Sequence, residues 1–309
     1  MADVARDRAQ LFLIGALSLA ITFVVLALVL NSAIYTENLA TRGADQTGAT
    51  DALSRQHDVR TAVGSVVDRA NDQQATYDDQ ESAIGAAIVD TEVLLRQYEV
   101  RSTALLRVEN PVYTRGARIQ QTVDSPFDGP SGSGDWTVAS GVQTRQFSLT
   151  ATRASLEDEA DDDAFRVRFD DGTDVWTVRI FRNEPGTATV VRVTDPSGAT
   201  VECLDDSGSE TTVVFSTATV GGGYCRGLAF LDELGTPYDV RFGNPTEGSG
   251  TYSLLVDKTV SGLGASYSAP DGDPPASEAI YAVTVDLTYR TPDLTYETEL
   301  RVAPGEFHA

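Results

Sequence analysis

Cys203 and Cys225 are the only cysteines of the chain, and His57 and His308 its only histidines. These four side chains carry most of the nucleophilic and soft-metal chemistry the sequence offers. A Ser or Cys nucleophile needs a base beside it, yet neither histidine falls among the strand-like runs and turns of the C-terminal part, where such a site would form. A zinc site is equally short of ligands, since there is no Cys-x-x-Cys pair and both histidines lie far from the cysteines in sequence. Cys203 and Cys225 are therefore expected to form a disulfide flanking ETTVVFSTATVGGGY. By loop-closure entropy such a bridge contributes roughly 3 kcal/mol, and it is favoured because this part of the chain is expected to face outside the cell.

The remaining motifs point away from catalysis. GGGYCRG, Gly221 to Gly227, is glycine-rich but lacks the strand-to-helix setting of a phosphate cradle, and reads as a loop beside the disulfide. There is no P-loop, no Gly-x-Ser-x-Gly elbow and no His-Glu-x-x-His. Paired carboxylates could act on glycans, but with 46 acidic residues in the chain such pairs arise by chance. DSPFDGPSGSGDW and DGDPPAS offer oxygen ligands for calcium, yet neither fits the EF-hand register. The chain is read as a non-enzyme, with no cofactor and no metal site.

Charge narrows the partners. The formal net charge is -23, and Lys258 is the only lysine. Nucleic acid and anionic lipid are poor partners for such a surface. Abundant Asp with almost no Lys resembles the proteins of haloarchaea, in which molar salt shortens the Debye length to roughly 3 Å and removes the repulsion between surface carboxylates.

The elements that would position any site begin with RDRAQLFLIGALSLAITFVVLALVLNSAIY. Leu11 to Leu30 holds no charge, and only Ser18 and Thr22 interrupt it with polar groups. As a helix rising about 1.5 Å per residue it covers roughly 30 Å, the hydrocarbon thickness of a bilayer. A secretory signal peptide has a shorter apolar core, and NSA at Asn31 to Ala33 is a weak cleavage site. Arg6 and Arg8 precede the run and Glu37 is the first charge after it, so the positive-inside bias predicts a cytoplasmic N-terminus and an external C-terminal bulk. Ala16 and Ala20 have small-xxx-small spacing, and with Gly15 they permit close helix approach, although an ordinary single anchor accounts for them nearly as well.

DRAQLFLIGALSLAITFVVLALVL resembles the processing region of haloarchaeal type IV pilin-like proteins and archaellins. Arg8 and Ala9 match the basic-plus-small pair before their cleavage point, Gln10 matches a common first mature residue, and Ile14-Gly15 falls where adhesion pilins carry the same pair. The resemblance covers about 35 of 309 residues. It implies cleavage between Ala9 and Gln10 by a prepilin-type peptidase, a retained helix held in membrane lipid or packed against other pilin-like subunits, and a localisation at the cell membrane or in a surface filament. Leu11 and Phe12 replace the Ser-Pro pair of adhesion pilins, and the Val-Gly-Ile-Gly run of archaellins is absent, which suits a minor or accessory subunit.

Between Asn38 and Val108 apolar residues recur at helical spacing, with Val59, Val63, Val66 and Ala70 in one part and Ile84, Ile88, Leu95 and Tyr98 in another. NDQQATYDDQES, Asn71 to Ser82, predicts a break between a helix ending near Ala70 and a second running from about Asp79 to Leu106; one long bent helix is the alternative. Such a segment serves as a stalk or as a hairpin covering the domain that follows. After Asn110-Pro111 the period becomes alternating, in short β-branched and aromatic runs such as AFRVRFDDGTDVWTVRIFRN, with DDGT as a hairpin turn. This predicts an antiparallel β-sandwich of roughly 200 residues.

The expected class is thus α+β, divided into a leader over 1–9, a transmembrane or assembly helix over 10–35, a helical segment over 36–108 and an extracellular β-sandwich over 109–309. The expected function is a membrane-anchored, pilin-like subunit that displays the sandwich for filament assembly or adhesion. The alternative is an uncleaved, monomeric, membrane-anchored binding or sensing module.

Overall fold

The computed structural model describes residues 50–99, 104–129, 132, 134–158, 162–263, 267 and 275–306. Arg8, Ala9 and Gln10, the packing residues Gly15, Ala16 and Ala20, and the whole apolar run Leu11 to Leu30 lie outside the described residues. Among the described residues no helix is long and apolar enough to cross a membrane.

Helix α1 occupies residues 50–73 and α2 Tyr77–Glu99. The strands are β1 Leu105–Pro126, β2 Trp136–Val142, β3 Thr144–Thr152, β4 Phe165–Asp170, β5 Val175–Arg182, β6 Thr189–Thr194 and β7 Thr200–Asp205. They continue as β8 Glu210–Val214, β9 Thr219–Val220, β10 Gly223–Tyr224, β11 Tyr238–Gly243, β12 Ser249–Val256, β13 Ala276–Arg290 and β14 Thr295–Val302. One sheet has the order β10-β9-β8-β3-β12-β1-β13-β14, the other β2-β11-β4-β5-β6-β7, and their pairings are antiparallel. The inner faces meet in a core rich in phenylalanine, where Phe127 stacks on Phe165 at 4.4 Å and Phe147 on Phe215 at 4.3 Å. Each such side chain contributes about 1.5–3 kcal/mol by burial, and each ring pair about 0.5–1.5 kcal/mol more.

The helices add a third layer. Val59, Val63, Val67 and Ala70 form one stripe of α1, and together with Ile84 and Ile88 of α2 they bury against Leu106, Val108, Val283, Val285, Leu287 and Leu300 of β1, β13 and β14. Gln56 in the first part of α1 accepts a hydrogen bond from Tyr296, whereas Asn71 near its end reaches Ile280. Tyr77 at the start of α2 then donates to the Gly116 carbonyl, and Ile84 and Ile88 lie over the earlier residues of β1. The pair is therefore an antiparallel hairpin lying on the sheet, one of the two arrangements expected for this segment.

Two boundaries differ from expectation. The break spans only 74–76, because Thr76 Oγ1 accepts the Asp79 N–H and the Glu278 carboxylate accepts the Tyr77 N–H at 2.6 Å, capping α2 early. The second helix does not reach Leu106, which is already in β1 and paired with Tyr289 of β13. Asn110-Pro111 is not the entry to the β region. Asn110 has φ 54°, and the β1–β13 register shifts between Glu109 and Val112, so the dipeptide forms a bulge within one long strand, a site where a proline without an N–H is tolerated.

Candidate functional site

Where the sheets' edges come together, Cys203 of β7 and Cys225 just after β10 are joined by a disulfide, as expected from the sequence. The bridge ties the last strand of the six-stranded sheet to the chain that leaves β10. The next residues, Arg226 to Asp232, form a 3-10 turn whose Leu228, Phe230 and Leu231 are buried. Gly227 lets this turn lie directly on the strands, since a Cβ there would stand 3.0–3.1 Å from Val193 and Val201.

The turn does not cover the sheet completely. A groove of about 420 Å³ remains, floored by Val193, Val201 and Ala229 and walled by Trp176 and Phe230, whose rings stack at 4.7 Å with an interplanar angle of 12°. Tyr224, 72% exposed, stands at the rim with Asp195, Arg226 and Glu233. Val201 and Leu204 on the same edge strand are 41% and 63% exposed, so apolar surface concentrates around the disulfide. Asp195 Oδ1 accepts hydrogen bonds from the Ser197 hydroxyl at 2.7 Å and the Ala199 N–H at 2.8 Å. These bonds hold its carboxyl below the usual carboxylate range, the Ser197 hydroxyl contributing most.

A second polar cluster fixes the helices. Arg145 is fully buried in β3 and donates to Asp68 of α1 at 3.2 Å, to the Pro304 carbonyl at 2.8 Å and to the Ile280 carbonyl at 3.1 Å. Burial pushes its guanidinium pKa down, and the Asp68 carboxylate opposes the shift. Asn71 completes the joint, its Nδ2 donating to the Ile280 carbonyl at 2.9 Å and its Oδ1 accepting the Ile280 N–H at 2.8 Å. These groups engage one another, so the cluster acts as a structural joint.

Several carboxylates likewise use protein donors, although Asp128 Oδ1 is buried without a hydrogen-bond partner among the described residues and residues 271–274 of DGDPPAS lie outside them. Asp124 accepts from the Thr152 hydroxyl, and Asp135 from the Asn244 N–H and Arg166. Asp171 in the β4–β5 turn accepts N–H groups from Thr173, Asp174 and Gly235. Those N–H groups hold its carboxyl below the usual range, that of Asp174 foremost. Among the described residues no group of three or more His, Cys, Asp or Glu side chains could hold a metal ion. His57 is exposed on α1, and His308 lies outside the described residues.

The groove was not legible beforehand. Tyr224 and Arg226 flank Cys225 in GGGYCRG, so the disulfide marked their neighbourhood, but Trp176 reaches it from a distant hairpin. Compared with known proteins, the chain matches no family model, no curated protein and no solved structure.

Proposed function

We propose that the protein is a membrane-anchored, pilin-like subunit, minor or accessory in a surface filament, that displays its β domain outside the cell. The observation that carries this reading is a charge-free run of twenty residues, Leu11 to Leu30, placed upstream in sequence of a helix α1 whose apolar stripe is buried against β1, β13 and β14. The disulfide supports an oxidising, external location for the domain. The flanking Arg6 and Arg8 support a cytoplasmic N-terminus, and Arg8, Ala9 and Gln10 are the residues of the processing site.

An uncleaved, monomeric binding module is the second reading, favoured by the groove at the disulfide. The mass of the N-terminal peptide from membrane-extracted protein separates the two. A peptide beginning at Gln10 is expected for the pilin-like subunit. An intact leader would replace that reading with the uncleaved module, and a start beyond Leu30 would overturn anchoring altogether.

A further inference from the structure

The groove beside Cys203–Cys225 combines features that suit one class of ligand. Its wall and rim are aromatic, with Trp176 backed by Phe230 and the Tyr224 ring standing largely free in solvent. Aromatic rings offer a flat apolar face at low entropic cost, and the Trp and Tyr polar atoms can still reach a hydrogen-bond partner. Its volume of about 420 Å³ lies within the roughly 300–1,000 Å³ of small-molecule sites.

The polar rim narrows the choice. Arg226 makes no hydrogen bond or ion pair among the described residues, whereas Arg182 and Arg192 on the adjoining strands are paired with Asp158 and Glu202. The Arg226 fork of donors faces the same groove as the carboxylates of Asp195 and Glu233. An anionic ligand would gain Arg226 but be repelled by two carboxylates, and a cation would meet the reverse conflict. A neutral polyhydroxylated ring uses all three groups, since hydroxyls both donate to carboxylates and accept from a guanidinium, while its C–H face lies on an aromatic ring.

We infer that the groove between β7 and the Arg226–Asp232 turn binds a neutral saccharide, with Tyr224 as the stacking platform and Arg226, Asp195 and Glu233 as hydroxyl partners. The disulfide and the close-packed Gly227 keep the two walls at a fixed separation, which limits the ordering cost of binding. The inference is independent of how the chain is anchored or processed, so its failure leaves the pilin-like reading untouched.

The test uses the full-length protein in detergent and molar salt, titrated with maltose, cellobiose, lactose and chitobiose while tryptophan emission is followed. Trp176 borders the groove and Trp136 is the only other tryptophan. At least one disaccharide is expected to give a saturable change, weakened at least about tenfold in Tyr224→Ala and in Arg226→Ala, with near-UV circular dichroism unchanged in both. Absence of saturation with all four sugars up to about 50 mM would overturn the proposal, because even a Kd of ~10 mM would register there. So would an undiminished response in both variants, or, when glucuronate is titrated in parallel, a response to glucuronate and to none of the four neutral sugars.

Discussion

At the residue scale, Asn71 ties the end of α1 to β13. Its amide satisfies both the N–H and the C=O of Ile280, at the point where the β1–β13 register skips Tyr281. A bulge leaves backbone groups without ladder partners, and Asn71 supplies them from the end of α1. Replacing Asn71 by Ala would strand the buried Ile280 N–H, at a cost of about 1–3 kcal/mol, while the Ile280 carbonyl keeps its bond from Arg145. Asn71→Ala is therefore expected to lower unfolding free energy by about 1–3 kcal/mol in urea titrations at molar salt. A loss below about 0.5 kcal/mol would mean that the hairpin docks through its apolar stripe alone. Sequence showed Asn71 only as the first polar residue of a break; its partner lies 209 positions away, beyond the reach of local pattern. Val59, Val63 and Ala70 were legible for the opposite reason, since periodicity alone marks a buried helix face.

At the level of elements, the disulfide secures an edge that strand pairing leaves weak. The strands β9 and β10 have two residues each and β7 closes one side of its sheet, so few ladder bonds hold this corner. The cross-link closes a loop with a sequence separation of 22, for which chain entropy gives about 3 kcal/mol. A double Cys203→Ser, Cys225→Ser variant is expected to lose that amount in a urea titration, and the unmutated protein under reductant should fall to the same midpoint. Equal midpoints for oxidised protein and variant would show that the corner is held by the packing of Leu228, Phe230 and Leu231 instead. The pairing itself was readable because the chain offers only two cysteines. The β4–β5 hairpin was readable too, because Asp-Gly turn chemistry is local. Asn110-Pro111 misled for the same reason that makes such signals useful: a left-handed residue before a proline usually ends an element, and here it bends one that tertiary pairing continues on both sides.

For the whole molecule, function depends on what lies at its two ends. The hairpin covers β1, β13 and β14 at one edge of the eight-stranded sheet, and the disulfide groove adjoins β10 at the other. Under the pilin-like reading proposed above, the helical hairpin would mark the anchored side and the groove the displayed one. Charge sets the conditions under which that arrangement holds. With 46 acidic and 23 basic residues, at least half of the carboxylates have no cation of their own even if every Lys and Arg is paired one to one. The pairs that do form, such as Arg115 with Glu81 and Arg118 with Asp72, are partly exposed, so solvent screens them and they offset little of the excess. Uncompensated repulsion must then be screened by the solvent. At molar salt the Debye length is about 3 Å and at 0.1 M about 10 Å, long enough for neighbouring carboxylates across the surface to repel. The core rings Phe147 and Phe215, which stack, and Phe169, tilted against Phe215, report tertiary packing. Their near-UV circular dichroism is expected to collapse as salt falls from molar to about 0.1 M. A spectrum indifferent to salt would mean that packing alone outweighs the charge excess, and the acidity would then have to be explained by something other than a saline exterior.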